Sequence, residues 1–215
     1  MPDVQLIYFA DPMCSWCWGF APVIGAVRQA WGEDLPIRLV MGGLRPGTTE
    51  PMSDAARETL RGHWQAVTQA SGQPFGAAAL GRSGFVYDTD PAARAVVAMR
   101  RLAPAAAIGF LERTQEAFYV DGADVTDPRT LSSLAAEFGV DVAAFAAALQ
   151  DDAVRQETWR DYAISRNAGV TGFPTLILGP RPDGAYLPIS RGFSPAPTVL
   201  ATIAQAMEML VAAPA

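Results

Sequence analysis

An α/β fold is predicted for this 215-residue chain, in the order βαβ, a long helical insertion, then ββα. Three observations predict it. Two short β-rich apolar runs bracket a helical pattern near the N-terminus; capped helical patterns fill residues 53–167; two more β-rich runs and a last helical pattern close the chain. The division assigns residues 1–48 and 169–215 to one domain and 49–168 to an inserted helical subdomain.

Residues 4–9 are apolar and β-rich and stop at Asp11-Pro12, a pairing that favours a turn. Apolar residues then recur at helical spacing over 14–31, up to Gly32, and residues 36–41 form a second β-rich run closed by Gly42-Gly43. A connection of this length carrying a helix joins parallel strands. Ser53-Asp54 caps a helix that runs to about residue 70. Asp88-Thr89-Asp90 followed by Pro91 supplies cap residues and a proline for the first turn, ahead of a helix over 92–102. Further helices are predicted over 105–120, 128–138, 142–149 and 152–168. Strand character returns at 175–178, turns through 179–184 and resumes at 186–190, an antiparallel pair because the connection is short. Pro188 has no N–H to give a neighbour, which places the second of these strands at a sheet edge. A helix over 195–211 and a short disordered tail finish the chain.

Half of the residues are apolar, enough for a filled core without crosslinks. The net charge is −6 and all 16 cationic side chains are arginine, with no basic run longer than Arg100-Arg101, so nucleic acid is excluded as a partner. The first apolar segment is short, contains Gln5 and follows no cationic stretch, unlike an export signal. The most apolar later stretch, residues 102–111, is broken by Pro104 and Gly109, so no membrane association is expected and the protein is placed in the cytoplasm.

Cys14 and Cys17 are the only two cysteines, three residues apart at the junction between a strand and a helix. One helical turn brings two such sulfurs to bonding distance, and a helix N-terminus stabilises a thiolate through its unpaired N–H groups. In a reducing compartment such a pair is catalytic, redox-sensing or metal-binding. A tetrahedral zinc site needs more ligands than His63 alone supplies, so no metal is expected, and His63 reads as a surface or packing residue. Gly42, Gly43 and Gly47 are followed by no P-loop lysine, and Asp121, Asp124 and Asp127 lack the spacing of a calcium loop and read as loop and cap residues.

Three segments, Cys14-Ser15-Trp16-Cys17-Trp18-Gly19-Phe20, Phe85-Val86-Tyr87-Asp88-Thr89 and Gly172-Phe173-Pro174-Thr175, resemble the DsbA family. The likeness is to its cytoplasmic branch of disulfide isomerases, with FrnE-like relatives, and it spans essentially the whole chain. It implies a thioredoxin fold with an all-helical insertion and a thiol-disulfide oxidoreductase or isomerase. In that role Cys14 is the exposed nucleophile and Cys17 the buried resolving thiol, while Ser15 and Trp16 tune the pair and border the substrate. It implies too that Gly172, Phe173, Pro174 and Thr175 form the loop facing the dithiol, with Pro174 cis and the Phe173 backbone pairing with substrate. No cofactor is implied beyond the redox-active disulfide. The partners are protein thiols and disulfides or glutathione, and the chain is a monomer or a homodimer.

The chain departs from the strongly oxidising members of that family at two places. They carry an acidic residue six positions before the first cysteine, where Tyr8 stands here, and a histidine between the cysteines, where Ser15 and Trp16 stand. Without that histidine a less acidic thiol and a more reducing pair are expected, while Tyr8 leaves the family's proton-transfer position unfilled; Asp11 is the nearby alternative for it, and Asp-Pro before a helix reads first as a turn. Trp18 is expected to pack the first helix on the sheet and Trp16 to be exposed. Two rival readings stay open: a kappa-type glutathione transferase or isomerase, a class that uses serine where Cys14 stands, and a thioredoxin-fold binding or chaperone module without redox chemistry.

Overall fold

Four strands share one sheet in the order β2-β1-β3-β4. The computed structural model describes residues 4–78, 80–181 and 183–212. Strand β1 (Gln5–Ala10), helix α1 (Ser15–Trp31) and β2 (Ile37–Met41) make the opening unit, in which β1 and β2 are parallel. Six helices follow: α2 (Asp54–Ser71), α3 (Asp90–Leu102), α4 (Ala107–Tyr119), α5 (Pro128–Ala136), α6 (Val142–Gln150) and α7 (Asp152–Asn167). The chain then returns to the sheet with β3 (Thr175–Gly179), antiparallel to β1, and β4 (Leu187–Arg191), antiparallel to β3, before α8 (Ala196–Ala212). This is a thioredoxin fold with a helical insertion between β2 and β3.

The predicted elements all occur, with ends displaced by a few residues. Proline accounts for the clearest shift. Pro104 opens a separate 3-10 turn over Pro104–Ala106, so the helix predicted from residue 105 starts at Ala107. Pro91 lies in the first turn of α3, which begins at Asp90, and Pro188 lies on β4 at the sheet edge. The predicted C-terminal tail falls at residues outside those described.

Side chains alternate between the two faces of the sheet. Leu6, Tyr8, Ala10, Leu39, Met41, Leu176 and Leu178 join the main core with α1, α8 and the insertion. Ile7, Phe9 and Val40 form a smaller cluster on the other face, packed by Val170, Phe173 and Ile177.

The outer edge of β2 is closed by side chains. The Arg100 guanidinium donates to the Leu39 carbonyl at 2.7 Å and to Asp161 at 2.8 Å, and Asp161 accepts the Met41 N–H at 2.9 Å. These backbone groups point away from β1 and would otherwise be unpaired. The ion pair fastens α3 and α7 of the insertion to the strand that ends beside the thiols.

Candidate active site

Strand β1 delivers the chain to the loop 11–14, and α1 starts where the Cys14 carbonyl accepts the Cys17 N–H at 3.0 Å and the Trp18 N–H at 3.1 Å. Cys14 is the N-cap residue, with extended backbone, and both cysteines are free thiols. The Cys14 thiol donates to the Phe173 carbonyl at 3.6 Å, and the Phe173–Pro174 peptide bond is cis. Two segments 159 residues apart in sequence thus meet at one sulfur.

Around that contact the loop is fixed by backbone geometry. Thr175 Oγ1 donates to the Gly172 carbonyl at 2.8 Å and the Gly192 N–H donates to the Pro174 carbonyl at 2.7 Å. The Phe173 ring lies against Gly42, where an added Cβ would sit 2.3 Å from it. Gly43, at φ 73°, lies under the Tyr162 ring. The glycine pair is therefore a site of close approach, a role the sequence reading did not give it. A cavity of about 270 Å³ opens beside the loop, lined by Gly172, Phe173, Thr175 and Arg191 among others. A cavity of about 770 Å³ lies in the insertion against Trp64 and Phe75 and is lined by neither cysteine.

Three expectations need correction. Cys14 was expected exposed, yet the residue is only 7% exposed, because the Phe173 carbonyl and the surrounding loop cover it. Trp16 was expected exposed and is half-buried, its ring 5.9 Å from Phe193. Trp18 packs under the insertion and not on the sheet. Its indole N–H donates to the Pro74 carbonyl at 3.0 Å, Gln73 donates to its carbonyl at 3.2 Å, and its ring stacks with Tyr119 at 6.5 Å. The reason is helical rotation: Phe20 faces Tyr8 of the sheet at 6.0 Å, and residue 18, two positions earlier, lies about 200° round the helix from it.

Cys17 is fully buried, and burial pushes its thiol up, with the hydrogen bond and charge of Cys14 acting in the same direction. Burial first, then the charges of Cys17 and Cys14, push Tyr8 up, so an uncharged phenol occupies the position six before Cys14. Asp11 does serve the turn, accepting the Met13 N–H at 2.9 Å, but it also accepts the Leu44 N–H at 2.8 Å and is fully buried. Burial raises its carboxyl to about 6. Tyr87 donates to the Met13 carbonyl at 2.5 Å, so the Phe85–Thr89 segment touches the loop that carries Cys14. Sequence reasoning quoted that segment without assigning this contact.

Ser15 is half-buried beside Cys14, and His63 is exposed on α2. Asp121 pairs with Arg113, Asp124 accepts from Thr126, and Asp127 caps α5. Among the described residues no group of three or more His, Cys, Asp or Glu is placed to hold a metal ion, and no helix is long and apolar enough to cross a membrane.

Residues 5–193 match the DSBA-like thioredoxin domain. The chain belongs to this family. A solved structure of a proposed protein disulfide isomerase from Nitrosomonas europaea is similar over 96% of this chain and 98% of that one, at 34% identity and a TM-score of 0.89. The cytosolic disulfide reductase DsbM from Pseudomonas aeruginosa is similar at 28% identity and a TM-score of 0.79, over 95% of this chain and 99% of that one. DsbM has also been solved with GSH, at a TM-score of 0.78 to this chain. Among curated proteins, the ClpXP adapter protein SpxH of Halalkalibacterium halodurans is 24% identical over 185 residues, 81% of this chain and 58% of that protein. The DSBA-like chain thus spans less than two thirds of that relative. The two solved neighbours are described as a proposed disulfide isomerase and a disulfide reductase.

Proposed function

We propose that this protein is a cytoplasmic thiol-disulfide oxidoreductase that works through the Cys14-Ser15-Trp16-Cys17 dithiol. The observation that carries the reading is the Cys14 sulfur lying 3.6 Å from the Phe173 carbonyl at a cis X-Pro bond. Cys14 stands at the N-terminus of α1, and its thiolate attacks one sulfur of a substrate disulfide. The S–S bond breaks, one substrate thiol leaves, and Cys14 is held in a mixed disulfide. Cys17, one turn inside, then attacks Cys14 Sγ and releases the second thiol. The Phe173 backbone pairs with the substrate chain like an added strand, and Gly172 and Thr175 set its position. Ser15 and Trp16 border the same entry. Residues 49–168 act as a separate subdomain that covers the site.

The substrates are protein disulfides or glutathione, and the chemistry needs no cofactor beyond the dithiol. The DsbM structure with GSH supports glutathione as a partner, and the cytosolic neighbour supports the compartment.

Equilibrium titration of the pair against glutathione, followed by tryptophan fluorescence and thiol trapping, tests the reading. A potential between about −200 and −270 mV is expected, as for glutaredoxin and thioredoxin. A value near about −120 mV would make the protein an oxidant and reverse the proposed direction. With no reversible transition the dithiol reading fails. Cys14→Ala abolishes exchange, and Cys17→Ala accumulates the mixed disulfide.

A second reading, a binding module, is favoured by one observation, the likeness to SpxH, which carries the name of an adapter protein. It is separated by the Cys14→Ala and Cys17→Ala double variant: client binding that survives in it, with no redox activity in the parent, selects the module.

A further inference from the structure

The cavity of about 770 Å³ in the insertion takes no part in the exchange steps. One wall is α2, where Arg61, Trp64, Gln65, Thr68 and Gln69 recur at helical spacing and so share one face. The other wall is the chain from Pro74 to Ala77, with Leu80. This second wall is held from behind. The Pro74 carbonyl accepts the Trp18 indole N–H at 3.0 Å, the Gly76 N–H donates to the Tyr119 carbonyl at 2.7 Å, and the Leu80 carbonyl accepts from Arg57 at 2.7 Å. A segment tied at three points does not fall in to fill the space. The cavity is therefore preformed, and it is of the size that small molecules occupy.

Two features of the walls say what fits there. Trp64 is 5% exposed, and its indole N–H is buried with no hydrogen-bond acceptor among the described residues. A buried indole N–H ordinarily finds one, as that of Trp18 does at the Pro74 carbonyl. Charge is the second feature. In a chain of net charge −6, no carboxylate among the described residues lines this cavity, and its one charged group is the Arg61 guanidinium, a turn before Trp64. Arg61 meets Glu58 at 2.6 Å, but both side chains are exposed, so the pair is weak, and a guanidinium has five N–H groups to offer. Trp64 and Phe75, stacked at 4.9 Å, give the interior a flat apolar side.

We propose that this cavity binds a small aromatic acid, with its ring against Trp64 and Phe75 and its carboxylate shared by the Arg61 guanidinium and the Trp64 indole N–H. The ring removes apolar wall from water, and the guanidinium supplies the charge that the carboxylate needs. Binding uncovers the indole N–H and provides the acceptor it lacks, so the indole proton is the atom that reports occupancy. The site goes beyond the exchange chemistry and does not depend on it.

The test uses 2-naphthoate as the probe and 2-naphthamide as its uncharged counterpart, and follows the tryptophan indole N–H signals of the parent by proton–nitrogen NMR. Trp64→Phe keeps an aromatic ring and removes the N–H, which identifies the Trp64 signal. 2-Naphthoate is expected to saturate with a dissociation constant below about 1 mM and to move the Trp64 signal downfield. 2-Naphthamide is expected to bind about tenfold more weakly, because a hydrogen bond to a charged group is the stronger one. Arg61→Leu should weaken 2-naphthoate about tenfold and leave 2-naphthamide unchanged.

Equal affinity for the two probes overturns the proposal, as does the absence of saturable binding. A 2-naphthoate response that moves the Trp16 or Trp18 signal and leaves Trp64 still places the acid elsewhere and overturns it too. If Trp64→Phe does not fold, the probe pair and Arg61→Leu carry the test, since the Arg61 side chain is 53% exposed and its replacement leaves the core intact. Binding is expected to persist in Cys14→Ala, so a failure of the dithiol reading and a failure of this site are separate results.

Discussion

The active site stands between two walls built on different principles. On the insertion side the wall is aromatic: Trp64 stacks with Phe75 at 4.9 Å and meets Tyr119 edge-on at 5.3 Å, and Tyr119 in turn stacks with Trp18. On the sheet side the wall is backbone and charge: Phe173 lies on Gly42, and Asp161 and Arg100 hold the edge of β2. Ring pairs tolerate a range of separations and angles, so the first wall spreads its energy over many contacts. The second has no slack, since a glycine without a Cβ and a hydrogen-bonded carboxylate each admit one arrangement. Damage to the aromatic wall is therefore expected in stability, and damage to the sheet wall in exchange rate.

The largest effect falls on the aromatic wall. Trp64 is 5% exposed, and Trp64→Ala is expected to cost about 4 kcal/mol of stability, read by urea unfolding. At temperatures where the variant is folded, its exchange rate stays within a few-fold of the parent. A variant that is stable but inactive would break the comparison. Asp161→Ala leaves Arg100 without its closest buried partner and the Met41 N–H without an acceptor, at a cost of about 3 kcal/mol. Here exchange falls along with stability, because β2 leads directly to Gly42.

Gly42→Ala is expected to cost less stability, about 2 kcal/mol, and to do more to the chemistry. The new methyl displaces the Phe173 ring, whose carbonyl contacts the Cys14 thiol. A drop in exchange of at least about tenfold, measured by insulin reduction on folded protein, is expected from a misplacement of this kind. Unchanged exchange would show that the loop adjusts and that the sheet wall has slack after all.

Much of this was legible in the sequence because the signals were local. Ser53, Asp127, Asp141 and Asp151 each accept a backbone N–H at the start of a helix, as short polar side chains do. Pro188 marked its strand as an edge, and the spacing of Cys14 and Cys17 marked the reactive turn. What escaped depends on partners far away in the chain. Trp18 was assigned to the sheet because nothing near it announces Pro74 and Tyr119. Gly42 meets Phe173 and Met41 meets Asp161 across more than a hundred residues, and no local pattern encodes such distances. Asp11 reads as a turn residue from its neighbours, and the return of the chain at Leu44, which donates to its second oxygen, is not announced there.

Tyr87 links the two walls and should show the smallest effect of both kinds. Its ring is edge-on to Phe118 at 5.7 Å, within the aromatic wall, while its hydroxyl donates to the Met13 carbonyl in the loop that carries Cys14. Tyr87→Phe keeps the ring and removes one hydrogen bond, at a cost of about 1 kcal/mol in urea unfolding. The Met13 carbonyl loses its hydroxyl donor, yet the loop is still held by the Asp11 contacts to Met13 and Leu44. Exchange should therefore fall by less than it does in Gly42→Ala. A fall as large as in Gly42→Ala would mean that the position of Cys14 is set from the insertion as firmly as from the sheet, and the division between the walls would then run through stability alone.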